Sequence, residues 1–183
     1  MREGSAVKDF LIPDRLVIGA RSEKAFSIMK EVYRPFFINE TPILNTSVET
    51  AELIKYASNA FLALKISYIN EIANLCETVG ADIHHVAKAM GQDGRISAKF
   101  LHPGPGFGGS CFPKDTMALV NMGKKFNHPV RTVEAAIEVN KKQSLRMINK
   151  IDSLLDNQIS GKKIAILGLS FKPQTDDIRE APS

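Results

Sequence analysis

Cys111 closes a glycine- and proline-rich run and opens a charged one, in the stretch LHPGPGFGGSCFPKDT from Leu101 to Thr116. A thiol in that company suits nucleophilic chemistry. A helix N-terminus expected near Asp115 and the ammonium of Lys114 are surroundings of the kind in which nucleophilic cysteines sit. Thiolate is the form that attacks. Gly106, Gly108 and Gly109 let the backbone approach a bulky polar ligand and aim N–H groups at it. Gly104, Gly106 and Gly109 also satisfy G-x-G-x-x-G, a pattern that signifies a dinucleotide-binding turn only directly after a strand and opening a helix. Pro103 and Pro105 disrupt any strand, and SCFPK follows, so that reading is set aside. A plain glycine-rich connector is the blander alternative, and it gives no reason for a cysteine at the loop's end.

The loop must be positioned by what surrounds it. Upstream, DRLVIGARSEKAFSIMKEVY reads as a strand over Arg15–Ile18 and a helix capped by Ser22, and TPILNTS is a second extended run. The clearest element spans Ser47–Val79, with Thr46 and Glu49 spaced as a capping box and Gly80 placed for a helix end. Ile54, Ala57, Phe61, Leu64, Tyr68, Ile72, Leu75 and Val79 repeat at steps of three and four. At 1.5 Å per residue this helix is roughly 50 Å long, more than a domain this small covers, which predicts packing against a second subunit. A second stripe (Leu53, Leu62, Ile66, Ile69, Ala73, Cys76) widens the apolar surface. Asp82 caps a shorter helix, IHHVAKAM, ending at Gly91. Downstream come helices near Asp115–Lys125 and Arg131–Asn157, and then GKKIAILGLSF, whose run Ile164–Leu167 reads as a parallel strand. The fold class expected is mainly α: a helical middle flanked by partial α/β segments.

Composition narrows the function. Among the 183 residues 44% are apolar and the net charge is +4, ordinary for a globular protein. MGKKF and NKKQ are solvated helix faces rather than nucleic-acid patches. The two cysteines are far apart, with no secretory signal and no long apolar span, so reduced thiols, a cytoplasmic location and no membrane are expected. No Cys/His/Asp cluster has ligand spacing, so no metal is expected.

Three motifs together, GFGGSCFPKD, ETAELIKYASNAFLALKISYINE and GLSFKPQTDDIREAPS, resemble the UDP-glucose 6-dehydrogenase family of nucleotide-sugar dehydrogenases, in order and over essentially the whole chain. The resemblance implies a Rossmann-like NAD-binding remnant over 1–45, a central helical dimerisation domain over 46–158, and the start of a nucleotide-sugar-binding α/β domain over 159–183. It implies NAD as cofactor, UDP-glucose as substrate, a homodimer through the long helix, and two oxidations at C6 through a cysteine thiohemiacetal and thioester. It makes Cys111 the nucleophile, Lys55 and Asn59 stabilisers of oxygen charge at C6, and Asp115 the residue that positions or activates water. Glu3 matches one of two glutamates near the site. Arg95, Phe100, Gly106, Phe107, Gly108, Phe171 and Lys172 fall to the substrate, with Arg95 reaching the neighbouring subunit's, and Lys114 falls to the cofactor. The family's N-terminal strand–glycine turn–helix is absent, which leads to the expectation of a piece that oxidises nothing by itself.

Each residue has a blander role. Lys55 alone is a snorkelling surface lysine, Asn59 a helix-face hydrogen bonder, Asp115 a helix cap, Arg95 a loop salt-bridge partner and Cys76 a core cysteine. Two other functions remain open: a dehydrogenase of GDP-mannose or a UDP-N-acetylhexosamine, and a non-catalytic helical dimerisation module.

Overall fold

A computed structural model describes residues 4–39 and 41–183; Glu3 lies outside the described residues. Helix dominates and a single small parallel sheet accompanies it, as expected. The chain divides into two compact units, the boundary falling after Ala57.

The first unit holds α1 (Ala6–Leu11), β1 (Leu16–Gly19), α2 (Glu23–Val32), a 3-10 turn (Arg34–Asn39), β2 (Ile43–Thr46) and the start of α3 (Val48–Val79). β1 and β2 run parallel, with Leu16 opposite Ile43 and Gly19 opposite Thr46. A parallel pair needs a crossover, and α2 supplies it. Ser22 Oγ accepts the Ala25 amide at 3.2 Å, capping α2. Ile18 and Phe36 form the buried apolar centre, with Phe10 edge-on to Phe36 at 5.8 Å. Gly19 is required where it stands, since a Cβ there would lie 2.7 Å from Ala51 Cβ. The short α1, with no buried residue to create a periodic signal, was not legible in the sequence.

The cap of α3 is Ser47 rather than Thr46. Its Oγ accepts the Thr50 amide at 3.1 Å, and its hydroxyl donates to Thr50 Oγ1 instead of leaving room for a box with Glu49. Gly80, at φ +73°, ends the helix, and the Ala81 amide returns to the Cys76 carbonyl, the closing bond of a Schellman turn.

The second unit holds α3 from Ser58 onward, α4 (Ile83–Gln92), α5 (Phe112–Lys125) and α6 (Arg131–Leu154). Asp82 caps α4 through the His84 amide at 2.7 Å. Ile69, Ala73 and Cys76 of α3, Leu119 and Val120 of α5, and Val133 and Ala136 of α6 are buried. α5 begins three residues before the expected position, so Cys111 sits at its N-cap.

The strand expected at Ile164–Leu167 does not form; the chain after α6 has neither helix nor strand. A strand is stabilised by the ladder it shares, and none of the described residues pairs with this run. Its side chains stay outside, Leu167 being 94% exposed.

Candidate active site

Phe112 and Pro113 open α5, and a proline in the first turn costs no hydrogen bond because that N–H has no helical partner. This places Cys111 where the first turn begins, with its thiol exposed and unbridged and its side chain making no cap bond. One turn on, the Asp115 amide donates to the Cys111 carbonyl at 3.0 Å. Asp115 itself is only 1% exposed. Burial of a carboxylate demands charge or hydrogen-bond partners, and it has both. Asn59 Nδ2 donates to Oδ2 at 2.6 Å, and the Lys114 ammonium reaches Oδ1 at 2.5 Å. Lys114 thus directs its charge to the carboxylate, a different arrangement from the lysine–thiol pairing expected from their nearness in sequence.

The loop before the thiol is held by side-chain amides. The Gly104 amide donates to Asn70 Oδ1 at 2.8 Å, and Gln143 Nε2 donates to the Gly104 carbonyl at 2.9 Å. The Phe107 amide donates to Asn140 Oδ1 at 2.7 Å, and Asn140 Nδ2 donates back to the Phe107 carbonyl at 2.9 Å. The glycines expected to approach a ligand approach the chain's own groups. A Cβ on Gly106 (φ +120°) would lie 2.8 Å from Asn140 Oδ1, and one on Gly108 would strike the Glu180 carbonyl at 1.8 Å. Gly109 lies against the Phe171 ring, and its N–H is spent on the Arg179 carbonyl at 3.0 Å. Phe100 and Phe107 both meet Phe112 edge-on, at 6.0 and 5.9 Å.

A cleft of about 840 Å³ opens beside this loop, lined among others by Phe107, Ser110, Lys114, Asn140, Lys141 and Arg179. Cys111 is not among its walls, although Ser110 before it and Pro113 two residues after it are.

The remaining expected residues lie elsewhere. Arg95 is exposed and folded back on Asp93, Nη2 to Oδ2 at 2.6 Å and Nε to Oδ1 at 3.0 Å; that pairing holds the Asp93 carboxyl below its usual range and raises the Arg95 guanidinium. Lys65 donates to the Ile96 and Ser97 carbonyls and fastens the same turn. Lys55, in the first unit, is exposed with its ammonium 5.3 Å from the Tyr56 ring centre. Lys172 sits 5.2 Å over the Phe171 ring. Cys76 is buried, as a core cysteine should be. Among the described residues no cluster of three His, Cys, Asp or Glu is placed to hold a metal, and no helix is long and apolar enough to cross a membrane. Asn70, Asn140 and Gln143 were missed by the motif reading. Their signal was a pair of amides three or four residues apart on each helix, Asn70 with Asn74 and Asn140 with Gln143.

Residues 49–142 match the central domain of the UDP-glucose/GDP-mannose dehydrogenase family, and residues 1–37 match that family's NAD binding domain. The whole chain is 53% identical to a UDP-glucose 6-dehydrogenase of Rhizobium meliloti and spans 42% of it. Among solved structures, a UDP-glucose dehydrogenase from Pyrobaculum islandicum superposes with a TM-score of 0.94 at 42% identity, covering all of this chain and 41% of that one. A UDP-D-ManNAc dehydrogenase from Pyrococcus horikoshii does so at 0.84 and 28%, covering all of this chain and 42% of that one.

Proposed function

The chain belongs to the UDP-glucose/GDP-mannose dehydrogenase family, and on that premise we propose that it takes part in the NAD-dependent, two-step oxidation of UDP-glucose to UDP-glucuronate. The observation that carries this reading is an exposed thiol at the head of α5, one turn from a buried carboxylate held between Asn59 and Lys114.

Cys111 is the nucleophile. Its Sγ adds to C6 once the alcohol has become an aldehyde, giving a thiohemiacetal, and loss of a second hydride leaves a thioester. Water then attacks that carbonyl, the C6–Sγ bond breaks, and the carboxylate leaves with the thiol restored. Asp115 accepts the proton of that water, a general-base role worth about 10²–10⁴-fold. Asn59 and Lys55 stabilise the oxygen charge that builds at C6, the task of fixed donors and cations in such sites. NAD, when bound, takes up the hydride removed from C6 at each step. Lys114, Lys141 and Arg179 line one cleft, a cationic set that fits a pyrophosphate, and Lys114 is assigned to the cofactor. Gly106, Phe107 and Gly108 are assigned to the sugar, with Phe100, Phe171 and Lys172 beside it, and Arg95 swings from Asp93 to the substrate of a second subunit. The second subunit docks on the exposed apolar face of α3, which makes the working unit a homodimer. Two free thiols suit a reducing, cytoplasmic setting.

The test is NADH absorbance with NAD and UDP-glucose, counting cofactor reduced per sugar consumed. Two NADH per sugar is expected of the protein carrying this chain. One per sugar, with free aldehyde, would sink the thioester route; turnover only of GDP-mannose or a UDP-N-acetylhexosamine would move the substrate assignment.

A further inference from the structure

Polar side chains cross the seam between α3 and α6 at helical spacing. Ser67 Oγ donates to the Ala136 carbonyl at 2.7 Å, and Asn74 Nδ2 donates to Gln143 Oε1 at 3.1 Å. Those two bonds tie helix to helix. Asn70 and Gln143 reach further and hold Gly104 by its N–H and its carbonyl. Asn140, one turn along α6 from Ala136, does something different. Its amide pairs with both polar groups of one residue, Phe107, as a neighbouring strand would. It finds room only because residue 106 is glycine, at φ +120°, where a Cβ would come within 2.8 Å of Oδ1. From Phe107 the constraint continues through its ring to Phe112, 5.9 Å away and next in the chain after Cys111.

We infer that Asn140 is a positioning residue for the sugar nucleotide: it fixes Phe107 and Gly108 in the conformation that receives the substrate, and acts on affinity through them. This rests on the reading that places Phe107 and Gly108 at the sugar. The helix seam and the Gly104 anchor do not depend on Asn140, so its loss frees one segment of the loop and leaves the helices joined. The expected signature is therefore in substrate binding, with the chemistry at Cys111 retained.

Two variants separate the halves of the clamp. Asn140→Asp keeps an acceptor for the Phe107 N–H and loses the donor to its carbonyl; Asn140→Leu loses both. Amide exchange at Phe107 is followed in the chain, and KM and kcat for UDP-glucose in the protein that carries it. In Asn140→Leu, Phe107 should exchange at least about 10-fold faster, with KM raised about 10-fold and kcat within about twofold. Asn140→Asp should fall between it and the wild type. Unchanged exchange in Asn140→Leu overturns the clamp; faster exchange with unchanged KM, or a fall in kcat matching the rise in KM, overturns the positioning role. If Asn140→Leu does not fold, Asn140→Asp decides alone, an unaltered KM counting against the inference. A wild-type protein that neither binds nor oxidises UDP-glucose overturns the substrate reading instead, and the exchange result still decides the clamp.

Discussion

From Ser58 to Val79, α3 turns two unlike faces outward and inward, and their chemistry is the reverse of a free-standing helix. Inside lie Ala60, Ala63, Ser67, Ile69, Asn70, Ala73 and Cys76, small or polar for the most part. Outside stand Phe61, Tyr68, Leu75 and Val79, with Val79 66% exposed. The contrast teaches how this unit divides its resources. Polar atoms are spent inside, where a glycine loop with few backbone partners of its own must be held still. Large apolar groups are left outside, where exposed stripes of this kind mark surfaces that another chain covers.

The largest effect tests whether the loop that the inward face holds ends in a working nucleophile. Cys111→Ser should lower oxidation to the acid by roughly 10³-fold, since the acyl-enzyme step loses its nucleophile. Cys76→Ser, on the inward face of α3 itself, should leave turnover unaltered; NADH absorbance for both variants decides it. The outward face is tested next by Phe61→Lys combined with Leu75→Lys. Sedimentation should show a dimer for the wild type and a monomer for the variant. Thermal unfolding of that monomer should come at a lower temperature and lose the concentration dependence that the dimer confers. A variant still dimeric would remove α3's outer stripe from the interface.

Smaller still is the cost of cutting one inward amide. Asn70→Ala strips the half-buried Gly104 N–H of an acceptor that is itself fully buried, a loss of about 1 kcal/mol. A melting temperature a few degrees lower is the expected reading. Asn70 Nδ2 itself finds no hydrogen-bond partner among the described residues, so the substitution also removes a buried donor and the loss is smaller for it.

The weakest effect lies at the solvent edge of the seam between α3 and α6. Glu77 is held below the usual carboxylate range, first by its hydrogen bond from Lys150 and then by that from Arg146, the latter at 2.7 Å. A carboxyl whose folded pKa is depressed contributes stability above its unfolded value, near 4.5, and loses it as pH falls through the folded one. With the side chain 43% exposed, solvent screening limits the gain to about 1 kcal/mol or less. Melting curves of wild type and Glu77→Gln should therefore differ slightly at neutral pH and converge as pH drops below about 4. A gap that widens in acid would reverse the sign of the assignment.

Much of this was legible in the chain itself, and some was not. Ser22 and Asp82 announce their helices because a cap and the amide it accepts lie within three residues of one another. Ser47 took the place expected of Thr46 because adjacent hydroxyls carry the same signal, and only the backbone direction selects between them. Ile164–Leu167 read as a strand on composition, yet a strand depends on a neighbour that no local pattern supplies. Lys114 stood close enough to Cys111 to suggest a thiol partner. The buried carboxylate one residue on made the stronger claim on its charge.

What the sequence by itself determined is what is settled within a turn or two of chain: the helices, most of their ends, and a thiol at the start of one of them beside a permissive loop. What only the tertiary structure decided is held across distance. Asn59 meets Asp115 across 56 residues and Asn140 meets Phe107 across 33, and no propensity or periodicity encodes a partner so remote. Such bonds exist only where the packed helices bring the two groups together, because side-chain amides meet their acceptors through the geometry of the fold rather than through spacing along the chain.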